Sequence, residues 1–130
     1  MRQPSGPANR HFSFSSADLR EVRAHGADSP ILTARVLKRG TVSSLRFVDL
    51  TIVPVGGAIG LHRHDESDEE LYVVIEGRAR IVLDGESLVV GPGDVVVNRP
   101  GGEHALENDG TGPLKLVVID VAAGRPAELN

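Results

Sequence analysis

The chain has 130 residues, a net charge of −4 and no cysteine, which bounds it to one domain that must stabilise itself by burial alone. Without thiols there is no disulfide framework and no thiolate metal ligand. The longest apolar run, Leu71 to Ile75, falls far short of the roughly 20 residues that a membrane helix needs.

The leading residues carry arginine but no apolar core of a secretory signal, so the chain reads as soluble and cytoplasmic. Charge is uneven. Residues 1–55 hold eight Arg/Lys against four Asp/Glu, a balance of +4, while residues 56–130 hold six against fourteen, a balance of −8. The basic residues are scattered singly, and Phe12, Phe14, Phe47 and Tyr72 are the whole aromatic set. That gives no stacking platform, so no nucleic acid partner is expected.

In chain order, residues 1–15 read as a loose arm rich in Pro, Gly and Ser. Asp18 and Glu21 have the spacing of a capping box, and Leu19 with Val22 supplies one apolar stripe before Gly26, which predicts a single helical turn. From Ile31 the pattern turns to strand. Ile31–Leu37 and Leu45–Val53 are rich in β-branched residues, and Pro54 with Gly56 and Gly57 ends the second. Arg78–Leu83 alternates, with Ala79, Ile81 and Leu83 on one face. Asp84-Gly85 is a hairpin turn signal, and Glu86–Val90 returns from it. Val95–Asn98, His104–Glu107 and Leu114–Val121 complete the series, and the tail from Ala122 is expected to fray. Short strands separated by Gly/Pro turns predict an all-β antiparallel sandwich or barrel.

Candidate chemistry concentrates in residues 56–77. On a strand, the period of two puts His62 and His64 on one face, whereas a helix would splay them. Glu70 opens the next apolar run and can turn back over that face. Two imidazoles and a carboxylate outline a first-row metal site. Tyr72 and Val74 share parity with Glu70 and should point into the barrel. Asp65, Glu66, Asp68 and Glu69 read as a solvated acidic loop, and His11 and His25 receive no role.

These residues carry a resemblance. Gly56, His62, His64, Glu70 and Gly77 sit in the places of the first motif of the cupins. Gly93, Pro100-Gly101, His104 and Asn108 sit in those of the second, with a fifteen-residue spacer between the motifs. The chain thus resembles a small single-domain cupin. The resemblance implies a double-stranded β-helix, a jelly-roll-like barrel, over residues 26–124, with a short N-terminal arm (1–25) and a tail (125–130). It also implies one divalent metal, Fe, Mn, Ni, Co or Zn, held by His62, His64, Glu70 and His104. Three imidazoles and one carboxylate leave two octahedral positions open, unlike a closed structural zinc site.

Two departures stand out. Five residues separate His64 from Glu70 where the family has three or four. Glu69 would restore that count but break the six-residue interval to Gly77, so Glu70 is the preferred ligand. Arg99 stands where a proline is common before Pro100-Gly101, and it is a candidate to reach an anionic substrate or an acidic neighbour.

The functional expectation is a metal-dependent enzyme acting on a small polar metabolite, as an oxygenase, lyase, decarboxylase, isomerase or condensation enzyme, with dioxygenase-type chemistry slightly favoured. Tyr72, Asn98 and Arg99 are the candidates for orientation or proton transfer. The alternatives are a non-catalytic metal-containing ligand-binding or sensor cupin, and a barrel whose ion only supports the fold. Free-standing length favours the enzyme over a sensor fused to a DNA-binding domain. A homodimer is expected, with Phe12, Phe14, Leu19 and Val22 available for contacts across it.

Overall fold

The computed structural model describes residues 10–39 and 44–123. Alternation of apolar and polar side chains decides the architecture, because each such run can bury one face only by pairing into a sheet that packs against another. Ten strands form among the described residues: β1 (Arg20–Val22), β2 (Ile31–Lys38), β3 (Leu45–Val53), β4 (Ala58–Arg63), β5 (Asp68–Glu76), β6 (Ala79–Leu83), β7 (Glu86–Val90), β8 (Val95–Asn98), β9 (Glu103–Glu107) and β10 (Leu114–Ala122). They make a six-stranded sheet in the order β1-β2-β3-β10-β5-β8 and a four-stranded sheet in the order β4-β9-β6-β7. All pairings are antiparallel. The fold is the expected all-β double-stranded β-helix.

β10 shows how pattern becomes packing. Leu114, Leu116, Val118 and Asp120 are buried, while the residues between them are less so. The buried set meets Val53, Tyr72, Val74, Ala79, Ile81 and Leu106 between the two sheets. The β6–β7 hairpin turns at Asp84 (φ 48) and Gly85 (φ 85), the two positive angles that a type I′ turn demands. Asp84 also bonds across to β9: its Oδ1 accepts the Glu103 N–H at 2.9 Å.

The second-motif asparagine has a structural task. Asn108 is 1% exposed. Its amide donates to the Val53 and Gly112 carbonyls at 2.9 and 3.0 Å and accepts the Gly110 N–H at 3.0 Å. It therefore ties the loop after β9 to β3 and satisfies buried backbone groups that would otherwise cost stability.

Three sequence expectations need correction. The capping-box turn does not form: Arg20–Val22 is the edge strand β1, paired with β2 through Arg20↔Thr33, Glu21↔Leu32 and Val22↔Ile31. The Asp18 carboxylate instead accepts from Arg20 Nε and Nη2 at 3.1 and 2.7 Å, because an open sheet edge offers the backbone more hydrogen bonds than one isolated turn. A 3-10 turn follows at Ala24–Gly26. Secondly, the tail does not fray at its first residues: Ala122 ends β10, and the Ala122 and Ala123 N–H groups donate to the Ser44 and Ser67 carbonyls. Thirdly, Asp68 and Glu69 belong to β5, both partly buried, rather than to a solvated loop. Most of the expected loose arm (residues 1–9), and the tail from residue 124, lie outside the described residues. No described helix is long and apolar enough to cross a membrane.

Candidate metal centre

The centre forms where the two sheets face each other. His62 lies on β4 and His104 on β9, directly opposite in register, so both rings project from the four-stranded sheet into the cup. His64 follows one residue past β4, and its N–H still donates to the Gly102 carbonyl at 2.9 Å. Glu70 comes from β5 in the other sheet, opposite Asn98. Side-chain nitrogen or carboxylate oxygen atoms of His62, His64, Glu70 and His104 all lie within 4.8 Å of one another. Glu70 Oε1 is 3.4 Å from Nε2 of both His64 and His104. Glu69, next along the strand, projects from the opposite face.

The outward nitrogens decide the tautomers. His62 Nδ1 donates to the Gly60 carbonyl at 2.8 Å, and His64 Nδ1 donates to Asp68 Oδ2 at 3.0 Å. Both rings thereby turn a bare Nε2 inward, the arrangement that metal-ligating histidines adopt. His64 Nε2 is buried without a hydrogen-bond partner. An orphaned buried acceptor beside a carboxylate oxygen is costly unless something positive sits between them, and a cation meets that need. The donor set fits a divalent first-row ion.

Burial sets the electrostatics. The half-buried His62 is pushed down to about 4, chiefly by desolvation, with the neighbouring imidazoles adding to the shift. It is therefore a neutral imidazole at neutral pH. The Tyr72 hydroxyl is pushed well above its ordinary range by burial and by Glu70, so it stays a phenol and a proton-bearing donor. It lies 3.2 Å from His104 Nε2. Asp120, behind Asp68, is pushed up to about 8 by burial and by its hydrogen bond to Asp68, and Arg46 Nε lies 3.5 Å from its Oδ1. Side-chain nitrogen or carboxylate oxygen atoms of His64, Asp68 and Asp120 lie within 4.8 Å of one another, a second group that shares His64 with the first.

That shift has a testable sign. An ordinary aspartate ionises near 3.8, whereas the folded chain holds the Asp120 proton to about 8. Between those pH values the folded state binds more protons, so the stability this group contributes falls as pH rises. His62 works in the opposite sense, with stability lost as pH falls from 6.5 toward about 4. Asp120→Asn removes only the first dependence. Urea midpoints of the metal-free protein should favour the variant increasingly between pH 5 and pH 8. An identical pH profile in both proteins would contradict the assignment.

The remaining sequence candidates divide. Tyr72 is in the cup. Asn98 is 2% exposed, and its amide oxygen and nitrogen have no hydrogen-bond partner. With His104 it lines a cavity of about 320 Å³ on the far side of the histidine cluster. Arg99 is exposed on the rim of that cavity beside Asp84 and Glu103.

Two residues at the site escaped the sequence reading. Asp68 holds His64, although it stands among five acidic residues. His25 stacks on His62 with ring centroids 3.5 Å apart and planes 8° apart. Together they line a second cavity, of about 280 Å³, with Arg35, Glu70 and Tyr72. Desolvation lowers the His25 pKa.

Comparison with known proteins agrees with this geometry. An oxalate-binding protein from Thermotoga maritima is 30% identical over 120 residues, 92% of this chain and 97% of its own. An uncharacterised protein from Methanocaldococcus jannaschii is 44% identical over 66 residues, 51% of this chain and about half (52%) of that relative's length. Among solved structures, a predicted oxalate decarboxylase from Thermotoga maritima superposes with a TM-score of 0.80 at 22% identity, covering 84% of this chain and 96% of the other. The cupin-domain profile matches residues 49–120, which include both motifs and all four converging side chains, and the chain therefore belongs to the cupin family.

Proposed function

We propose that the chain is a metal-dependent small cupin enzyme in which His62, His64, Glu70 and His104 hold one divalent ion, from Fe, Mn, Ni, Co or Zn, and act on a small polar metabolite. The observation that carries this reading is the convergence of four candidate ligand atoms, with the outward nitrogens of His62 and His64 tied off by Gly60 and Asp68. Such an ion would supply Lewis acidity toward ligand oxygens. The chain would do the rest. Tyr72, kept neutral by burial, offers its O–H to the ligand or a proton to the product. Asn98 presents an unpartnered amide behind His104, and Arg99 would meet an anionic group only at the rim of its own cavity.

The reading extends to a ligand class, because the relative from Thermotoga maritima is named for binding oxalate. A small carboxylate that chelates through oxygen suits the donor set. The same name supports the second reading, a cupin that binds such a ligand without turning it over. Metal-free protein titrated with Mn²⁺ should take up one ion per chain, and free Mn²⁺ at about 100 times its dissociation constant should add about 2.7 kcal/mol of stability. Oxalate should bind the loaded protein and not the metal-free one. Equal oxalate affinity with and without the ion would contradict the reading, and binding without product would select the second one. We also propose a homodimer, using the exposed edge strand β1 and the exposed Phe12 and Val22; a monomeric mass in solution would remove that part.

A further inference from the structure

His25 is placed with unusual care for a residue in a sparsely patterned leader. Its backbone is left-handed, φ 53 and ψ 46, a conformation that disfavours side chains bearing a Cβ. Histidine is among the few side chains that enter this region with any frequency, so the conformation is uncommon and modestly strained. The turn that carries it presses directly on β4: a Cβ added at Gly60 would overlap the His25 carbonyl oxygen. Only glycine at position 60 lets the turn seat so deeply. The outcome is an imidazole lying flat on His62 at the wall of the 280 Å³ cavity. His25 is exposed, and among the described residues its ring nitrogens have no hydrogen-bond partner, so an N–H is free to meet a ligand.

We propose that His25 is the ligand-recognition residue of this centre, donating an N–H to an oxygen of a small carboxylate bound beside Glu70 and His62. The inference rests on the functional reading above and deepens it, since it assigns the ligand's second contact to the N-terminal arm. The rest of the cavity wall agrees with an acceptor-rich ligand. Asp49 is committed to Arg35, whose Nε and Nη2 donate to its carboxylate at 2.9 and 3.2 Å. The Thr33 and Thr51 hydroxyls bond each other at 2.8 Å, and Tyr72 retains its proton. Apart from Glu70 and the inward Nε2 of His62, which face the cation position, the polar groups left over on the wall are His25 and the Tyr72 hydroxyl; both can donate, and a carboxylate supplies the acceptor they lack.

The test compares His25→Gly and His25→Asn with the unaltered chain, using Mn²⁺ and then oxalate as calorimetric probes and following the melting temperature. Glycine relieves the left-handed strain, and asparagine tolerates it while keeping an N–H donor. In His25→Gly, Mn²⁺ stoichiometry and affinity should be unchanged and melting unchanged or higher. Oxalate affinity should fall about tenfold or more, the loss expected for a hydrogen bond to a charged group. His25→Asn should recover part of that loss. Unaltered oxalate affinity in His25→Gly overturns the proposal. So does a parallel fall in Mn²⁺ affinity and melting temperature, which would make His25 a prop for His62. If the unaltered chain binds no Mn²⁺, or binds oxalate equally without it, the functional reading itself fails and the inference falls with it.

Discussion

Replacing His104 with alanine is expected to weaken divalent-metal affinity by more than about 100-fold, the upper end of what altering a mere supporting residue costs. His104 is 1% exposed and contributes the Nε2 that lies 3.4 Å from Glu70 Oε1. Its ring centroid is 4.2 Å from that of His62 and 4.8 Å from that of His64. Removing it opens one side of the cluster, where Asn98 offers only a neutral amide. The fold should survive, with a loss of about 1–3 kcal/mol for a truncated buried side chain. His11→Ala is the matched control, since His11 is exposed and outside the cluster. Equilibrium dialysis with Mn²⁺ reads both. Equal metal content in the His104 and His11 variants would contradict the ligand assignment.

The largest stability effect is expected at Gly77, which joins β5 to β6. Its φ is +86, and an added Cβ would overlap the Pro113 carbonyl oxygen and crowd Leu114 Cα at 2.8 Å. Neither neighbour can yield, because Leu114 is fully buried at the start of β10, a strand hydrogen-bonded on both sides. Backbone strain and overpacking each cost about 1–3 kcal/mol, so Gly77→Ala should lower the melting temperature by roughly 10 °C. Gly93 supplies the contrast. It has φ +92, but nothing lies within 4 Å of the place an added Cβ would take, so Gly93→Ala should suffer strain alone and melt several degrees above Gly77→Ala. Equal melting points would show that the close approach to Pro113 is relieved at little cost.

The glycines also show why so much was legible. Motif positions mark places where backbone geometry leaves a single choice, and the strand period of two carries side-chain direction along the chain. His62, Glu70 and Tyr72 were therefore locatable from strand spacing and His104 from its place in the second motif, and the structure brings them together. Asp84-Gly85 announced its turn because few dipeptides accept two positive φ angles.

What stayed hidden depends on contacts distant in sequence. The capping-box pattern at Asp18 is a local preference that lost to the hydrogen bonds available on the edge of β2. Asp68 looks like one more solvated acid, and only the fold shows it facing His64 Nδ1. His25 belongs to a segment without periodicity, and its signal lies in Gly60, thirty-five residues away, whose need to be glycine appears only when the turn is packed against it. Asn108 was matched to a motif position, but its bonds to Val53 and Gly112 could not be read from spacing.

The most direct measurement is X-ray absorption at the metal edge of Mn²⁺-loaded protein, combined with metal analysis. One ion per chain with scattering from three imidazoles and a carboxylate is the predicted result. An ion surrounded by oxygen alone, or none retained after dialysis, would contradict a metal centre built from His62, His64, Glu70 and His104.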